Sequence, residues 1–193
     1  MKISNIFIGS FLFVLCGCGT YYDPADPYVR GIRSFDQKNF EAAKREWEPL
    51  ANAGDCDAEY RYGTLYFFGA GVPQDFKAAN KWWSNAANQG QAFSQFLLAT
   101  MYAHDYLEIR TPGMRMSFNC KVQDCGFEKD MPEAYQWARL AERYSPYEDN
   151  RGHAKEKAED FKKSLTAEQL AKADRYVQEW KPSPSQCKQR EIL

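Results

Sequence analysis

Residues 58–90 read AEYRYGTLYFFGAGVPQDFKAANKWWSNAANQG, and the reading of this stretch decides the fold. Ala58, Tyr62 and Tyr66 recur at i, i+4 and i+8, so they share one face of a helix. Gly69-Ala70-Gly71-Val72-Pro73 then breaks that helix with turn residues. Asp75 is placed to cap a second helix, in which Ala79, Trp82, Trp83 and Ala86 form the buried stripe. Small Ala and Gly residues let two antiparallel helices approach closely, and aromatic rings fill the layer between neighbouring pairs. One such pair cannot bury its apolar face alone; stacking on further pairs supplies the core.

The stretch recurs along the chain. Phe40-Glu41-Ala42-Ala43, Trp47, Ala51 and Gly54 return 36 positions later as Phe76-Lys77-Ala78-Ala79, Trp83, Ala87 and Gly90. Tyr60, Gly63, Leu65 and Tyr66 answer to Phe96, Ala99, Met101 and Tyr102 at the same offset. A third helix of the second type runs from Asp130 through Ala134, Trp137 and Ala141. It matches Asp75, Ala79, Trp82 and Ala86 at an offset of 55, so about 19 residues are inserted in the last repeat. Gly63 and Ala99 are expected at the tight helix crossings, with Trp82 and Trp137 filling the layer beside them.

From Ala58 to Gly90 the sequence resembles the Sel-one-like repeat, a relative of the tetratricopeptide class. The family pattern is nearly complete there, with Tyr62 in place of Leu and Trp83 in place of Tyr. The flanking repeats are degenerate. The first keeps mainly its second helix, and the third lacks the Gly-rich turn. The expected fold is therefore all-α: a right-handed α-solenoid of about three helix-turn-helix repeats over 28–146, with an insertion at about 106–129. Gly152–Leu165 and Thr166–Trp180 read as two capping helices within 147–181, Thr166-Ala167-Glu168-Gln169 being a capping-box pattern. Pro182 and Pro184 open an extended tail over 182–193.

At the start, Lys2 and the apolar run Ile6–Leu15 suit a signal peptide; the run is too short to span a bilayer. Leu15-Cys16-Gly17-Cys18 resembles the lipobox of bacterial lipoproteins, which implies cleavage after residue 17, acylation of Cys18, and a lipidated tether over 18–27. Gly19 follows the acylated residue where inner-membrane retention usually shows Asp. By that analogy the protein is expected at the outer membrane, facing the periplasm and touching the membrane through its anchor alone.

About 176 residues would remain after cleavage, enough for one domain or one repeat array. The chain carries a net charge of −1, without the basic surplus that nucleic-acid binding requires. Aromatic residues are heavy: 12 Tyr, 13 Phe and 5 Trp supply the layers of the stack. Beyond Cys16 and Cys18, four cysteines remain as disulfide candidates: Cys56, Cys120, Cys125 and Cys187. They allow three connectivities. Proximity in one short segment points to Cys120–Cys125, whereas Cys56 and Cys187 can pair only if the tail folds back along the solenoid. No metal site is expected, because Cys120-x₄-Cys125 lacks a second ligand pair and His104 and His153 are isolated.

No catalytic residue and no cofactor are assigned. Gly69-x-Gly71 has no following Lys-Ser/Thr, and the nucleophile-elbow and His-Glu-x-x-His patterns are missing from the sequence. What remains is a binding surface for another protein. On the first helix of each pair, Arg61, Thr64 and Phe68, with Leu97, Thr100 and His104 one repeat on, are the partner-binding candidates. The insertion at 106–129 is the other, being long for an interhelix loop. Family resemblance implies an immunity protein that neutralises a toxic effector, such as a phospholipase delivered by type VI secretion. The alternative is an envelope scaffold or host-interaction factor organising cell-wall or secretion proteins. An enzyme acting on β-lactams ranks third, because the regular Cys pair in each repeat of such relatives is missing here.

Overall fold

The structure, a computed structural model, describes residues 23–104, 106–111, 114–119, 128–183 and 187. Eight helices follow one another: α1 (Pro27–Asp36), α2 (Phe40–Asn52), α3 (Cys56–Phe68), α4 (Phe76–Asn88), α5 (Ala92–Tyr102), α6 (Met131–Tyr144), α7 (Glu148–Lys162) and α8 (Ala167–Glu179). Between α5 and α6 lie two antiparallel strands, β1 (Tyr106–Thr111) and β2 (Met114–Asn119). The solenoid itself is all-helical. Helices α1 to α7 pack in chain order and α8 returns onto α6. Helix α7 starts four residues ahead of the expected Gly152, placing that glycine inside the helix.

Local chemistry sets the helix starts. Asp55, Asp75 and Asp130 accept from the amides of Ala58, Ala78 and Glu133 at 2.9–3.1 Å. Gln91 occupies the position of Asp55 one repeat on and caps Ser94 in the same way. Thr166 and Gln169 close a reciprocal capping box. The end of α3 is set by Gly69, whose φ of 65° is left-handed and which donates its amide back to the helix.

The pairs are locked by a glycine facing a tryptophan. The Trp83 indole donates from α4 to the Tyr60 carbonyl of α3 at 3.1 Å. It lies so close to Gly63 that a Cβ there would stand 2.8 Å from the ring. The first pair repeats this: Trp47 donates to the Tyr28 carbonyl at 3.1 Å and covers Gly31. The first repeat is thus a full helix pair. Its first helix escapes the 36-residue offset because three residues join α1 to α2, whereas seven join α3 to α4. The ring beside Gly63 is Trp83, which corrects the expected Trp82. The Trp82 indole is only partly buried and meets the Tyr62 ring at 5.1 Å. Trp137 is buried as expected.

Two apolar cores result. One lies among α1, α2 and α3, around Tyr28, Phe35, Trp47 and Leu65. The other runs from Phe67 and Trp83 through Leu98, Met101 and Leu140 to Phe161 and Val177. Tyr66 and Phe68 pack against both, which couples the ends of the stack.

Candidate partner-binding surface

Most of the expected surface residues are interior. Helix α3 is enclosed by its neighbours and buries ten of its thirteen residues. Arg61, Thr64, Leu97 and Thr100 are all buried, so as they stand they cannot form a partner-facing strip. The reason is packing on both sides: the first helix of a pair touches its own partner helix and the preceding pair. Thr64 and Thr100 donate their hydroxyls to the carbonyls of Tyr60 and Phe96, four residues back, at 2.8 and 3.0 Å. Phe68 is half-buried against Phe67, with ring centroids 5.3 Å apart. His104 retains partial exposure in the turn after α5, at a left-handed φ of 52°.

Arg61 acts from behind the surface. Its guanidinium lies 5.4 Å from the Tyr60 ring centroid and 6.0 Å from that of Trp47, and its Nε donates to the Tyr28 hydroxyl at 3.4 Å. Burial pushes the Tyr28 phenol up to about 12 against the pull of Arg61, so the ring stays neutral. The cation thereby steadies Tyr60, which is itself half-exposed.

Tyr60 begins a row of rings. It stacks on Phe93 of α5 with centroids 6.0 Å apart and planes 28° apart, and Phe93 meets Tyr147 at the start of α7 at 6.1 Å. All three are partly exposed. Beside them Phe93, Phe96, Ser145, Asn150 and His153 enclose a pocket of about 30 Å³, the space of a single water. The row crosses three successive pairs, and large rigid rings with a polar edge are the side chains best suited to an interface centre. The sequence did not mark the row: one repeat on, Tyr60 answers to Phe96, which lines the pocket beside it, and Phe93 answers to Asp57, which is not aromatic.

The insertion contributes a hairpin. The backbone register pairs Leu107 with Phe118, Ile109 with Met116 and Thr111 with Met114. Tyr106–Asn119, Glu108–Ser117 and Arg110–Arg115 are the alternating pairs of the same ladder. The alternation in Tyr106–Thr111, followed by Pro112-Gly113, was the available strand signal. Cys120 and Cys125 lie outside the described residues, as does Cys18.

The disulfide among the described residues is Cys56–Cys187, with Cα atoms 4.9 Å apart, spanning 131 residues. The tail folds back to reach it. Ser183 donates its amide and hydroxyl to the Asn88 carbonyl at 2.9 and 3.2 Å, and Pro182 lies over Gly90. Near this strap Glu59 is 4 % exposed and accepts from Gln89 at 2.8 Å. Desolvation, with the Asp55 carboxylate nearby, pushes its carboxyl up to about 7.

The Sel1 repeat pattern matches residues 56–91 and 123–143, the first covering α3 and α4 and the second ending within α6. None of the curated proteins matches the chain. Among solved structures, a protective antigen present in uropathogenic Escherichia coli strains, displaying an SLR fold, superposes with a TM-score of 0.61 at 22 % identity. The superposition covers 81 % of this chain and 30 % of that protein, so the chain spans under a third of the length of that neighbour. The chain therefore carries Sel1 repeats over those two stretches, and its helical stack shares the SLR fold of that neighbour.

Proposed function

We propose that this chain is a protein-binding solenoid of the bacterial envelope, held to the periplasmic face of the outer membrane by an acylated Cys18, and that it neutralises a toxic effector. It acts by binding, not by turnover. The observation that carries the reading is the row Tyr60–Phe93–Tyr147 laid across three helix pairs, with neighbouring ring centroids 6.0 and 6.1 Å apart. Sel1-like architecture supports a partner that is itself a protein. The hairpin of the insertion supplies a second candidate contact region. A phospholipase-type effector fits the family expectation.

The test is capture from periplasmic extract by the full-length chain, repeated with Tyr60→Ala and Phe93→Ala. Each substitution is expected to weaken capture by about 2 kcal/mol, the scale of an interface centre, while the helical signal is kept. Undiminished capture by both variants overturns the surface. Loss of protection against the captured effector, in cells lacking the gene, is the expected sign of immunity. Intact mass of the mature protein tests the anchor: an unmodified N-terminus overturns it.

A second reading, an envelope scaffold or host-interaction factor, draws support from the protective-antigen character of the structural neighbour. Capture of cell-wall or secretion components in place of a toxin would favour it.

A further inference from the structure

At the far end of the stack, a cleft of about 520 Å³ opens between α6, α7 and α8. Four cations line it, Arg139 and Arg143 from α6 and Arg151 and Lys155 from α7, against the carboxylates Glu142 and Glu148. Two of the cations are neutralised within their own helices. Arg139 pairs with Glu142 at 2.5 Å, and Arg151 pairs with Glu148. Arg143 is held differently. It donates to the Val177 carbonyl of α8 at 3.0 Å and lies 5.6 Å from the Tyr144 ring centroid. Those contacts orient the guanidinium but leave its charge uncompensated. Among the described residues no carboxylate pairs with Arg143 or with Lys155. The cleft therefore keeps two surplus positive charges in a chain whose net charge is −1.

Gly152 lines the same cleft. Glycine inside a helix is unfavourable because of the chain freedom lost on folding. At Gly31 and Gly63 an indole explains it; at Gly152 a Cβ would meet nothing within 4 Å. The missing side chain serves no helix packing. It leaves the α7 wall of the cleft open.

We propose that this cleft binds the carboxylates of an acidic segment on a protein partner. Arg143 offers a pre-oriented planar fork for one carboxylate, and Lys155, on another helix, a second point charge. Surplus charge divided between two helices suits two carboxylates on one extended chain better than one compact ion. The volume falls within the range of ligand clefts. The proposal rests on the protein-binding reading and adds a contact remote in sequence from Tyr60 and Phe93.

The experiment titrates the full-length chain into fluorescein-labelled hexaglutamate at low salt, with hexaglutamine as control and inorganic phosphate as competitor. Hexaglutamate is expected to bind and hexaglutamine not, with affinity falling as salt rises. Arg143→Ala, Lys155→Ala and Gly152→Leu are each expected to weaken binding by about tenfold, with thermal melting retained. Absence of binding, or equal binding by all three variants, overturns the proposal. Displacement of the peptide by phosphate at matching concentration also overturns it, in favour of a small-anion site. Natural-partner capture through Tyr60 and Phe93 is a separate readout: if it survives while hexaglutamate binding fails, only the cleft assignment falls.

Discussion

In the second repeat, α3 and α4 cross at Gly63 and Trp83; in the third, the corresponding positions of α5 and α6 hold Ala99 and Ala138, both fully buried. The two crossings fill one gap in different ways. In the second a glycine admits the edge of a full indole, whereas the third places two small methyl side chains at those positions. The hydrogen bonding differs too. Trp83 donates across to the other helix, whereas Trp137 of the third repeat donates to Glu133 within its own helix, at 3.2 Å. The first and second repeats therefore carry a polar latch between their helices. The third relies on apolar packing, with α7 and α8 closing over α6. Residues at a crossing are coupled in volume, so a repeat can be changed at both positions more cheaply than at one.

The comparison is broken most severely at the ring. Trp83→Ala is expected to cost about 3–5 kcal/mol, read from denaturant unfolding. Trp82→Ala should cost visibly less, since its indole is partly exposed; equal losses would remove the distinction drawn between them. Gly63→Ala comes next. Its methyl has no room beside the Trp83 indole, and overpacking of this kind costs about 1–3 kcal/mol. Combined with Trp83→Ala, the same methyl has space, so the double variant should be more stable than the sum of the single losses implies. Strict additivity would show that the crossing is not a coupled unit. Ala99→Gly, which moves the third repeat toward the second without supplying a ring, should cost about 1 kcal/mol.

A pH-dependent effect concerns Glu59 and Gln95, which hold one repeat position in α3 and α5. Gln95 is neutral and donates to the Ala87 carbonyl at 3.0 Å. Glu59 is an acid whose folded-state pKa is raised from 4.5 to about 7, chiefly by burial. The native state then binds its proton more tightly than the unfolded chain does. Stability relative to Glu59→Gln should be fully retained below about pH 4.5 and lost as pH rises toward 7, with no further change above. Melting temperatures of the two proteins across that window check the sign. Parallel curves would mean that Glu59 is solvated.

Much of this comparison was legible before any coordinates. The 36-residue offset carried the paired helices and the glycine at the crossing, and Asp75 was readable as a cap; Asp55 and Asp130 cap in the same way without having been read so. Trp82 and Trp83 were not separable, because neighbours in a helix stand about 100° apart and both fit a broad stripe. Gly31 was missed because its loop is four residues shorter, which moves α1 out of the period. The surface was the least legible part. Arg61 and Thr64 look like exposed residues on an ordinary amphipathic helix, yet α3 is packed from both sides and buries polar residues all round. The row from Tyr60 to Tyr147 depends on which helices stack, and no local pattern encodes that.

The bond between Cys56 and Cys187 has a mechanical meaning. It makes α3 through α8 a covalent ring, entered at residue 56 and left at residue 187. Pull the chain by its two ends and the load passes from α2 through the sulfurs to the tail, bypassing the six helices and the hairpin. Only α1, α2 and the terminal segments can be drawn out, at about 3.3–3.6 Å per residue. A reducing agent converts the same pull into extension of the whole array. Under tension the molecule is a short extensible leader in series with a closed loop, so Tyr60, Phe93 and Tyr147 keep their places while the first repeat gives way.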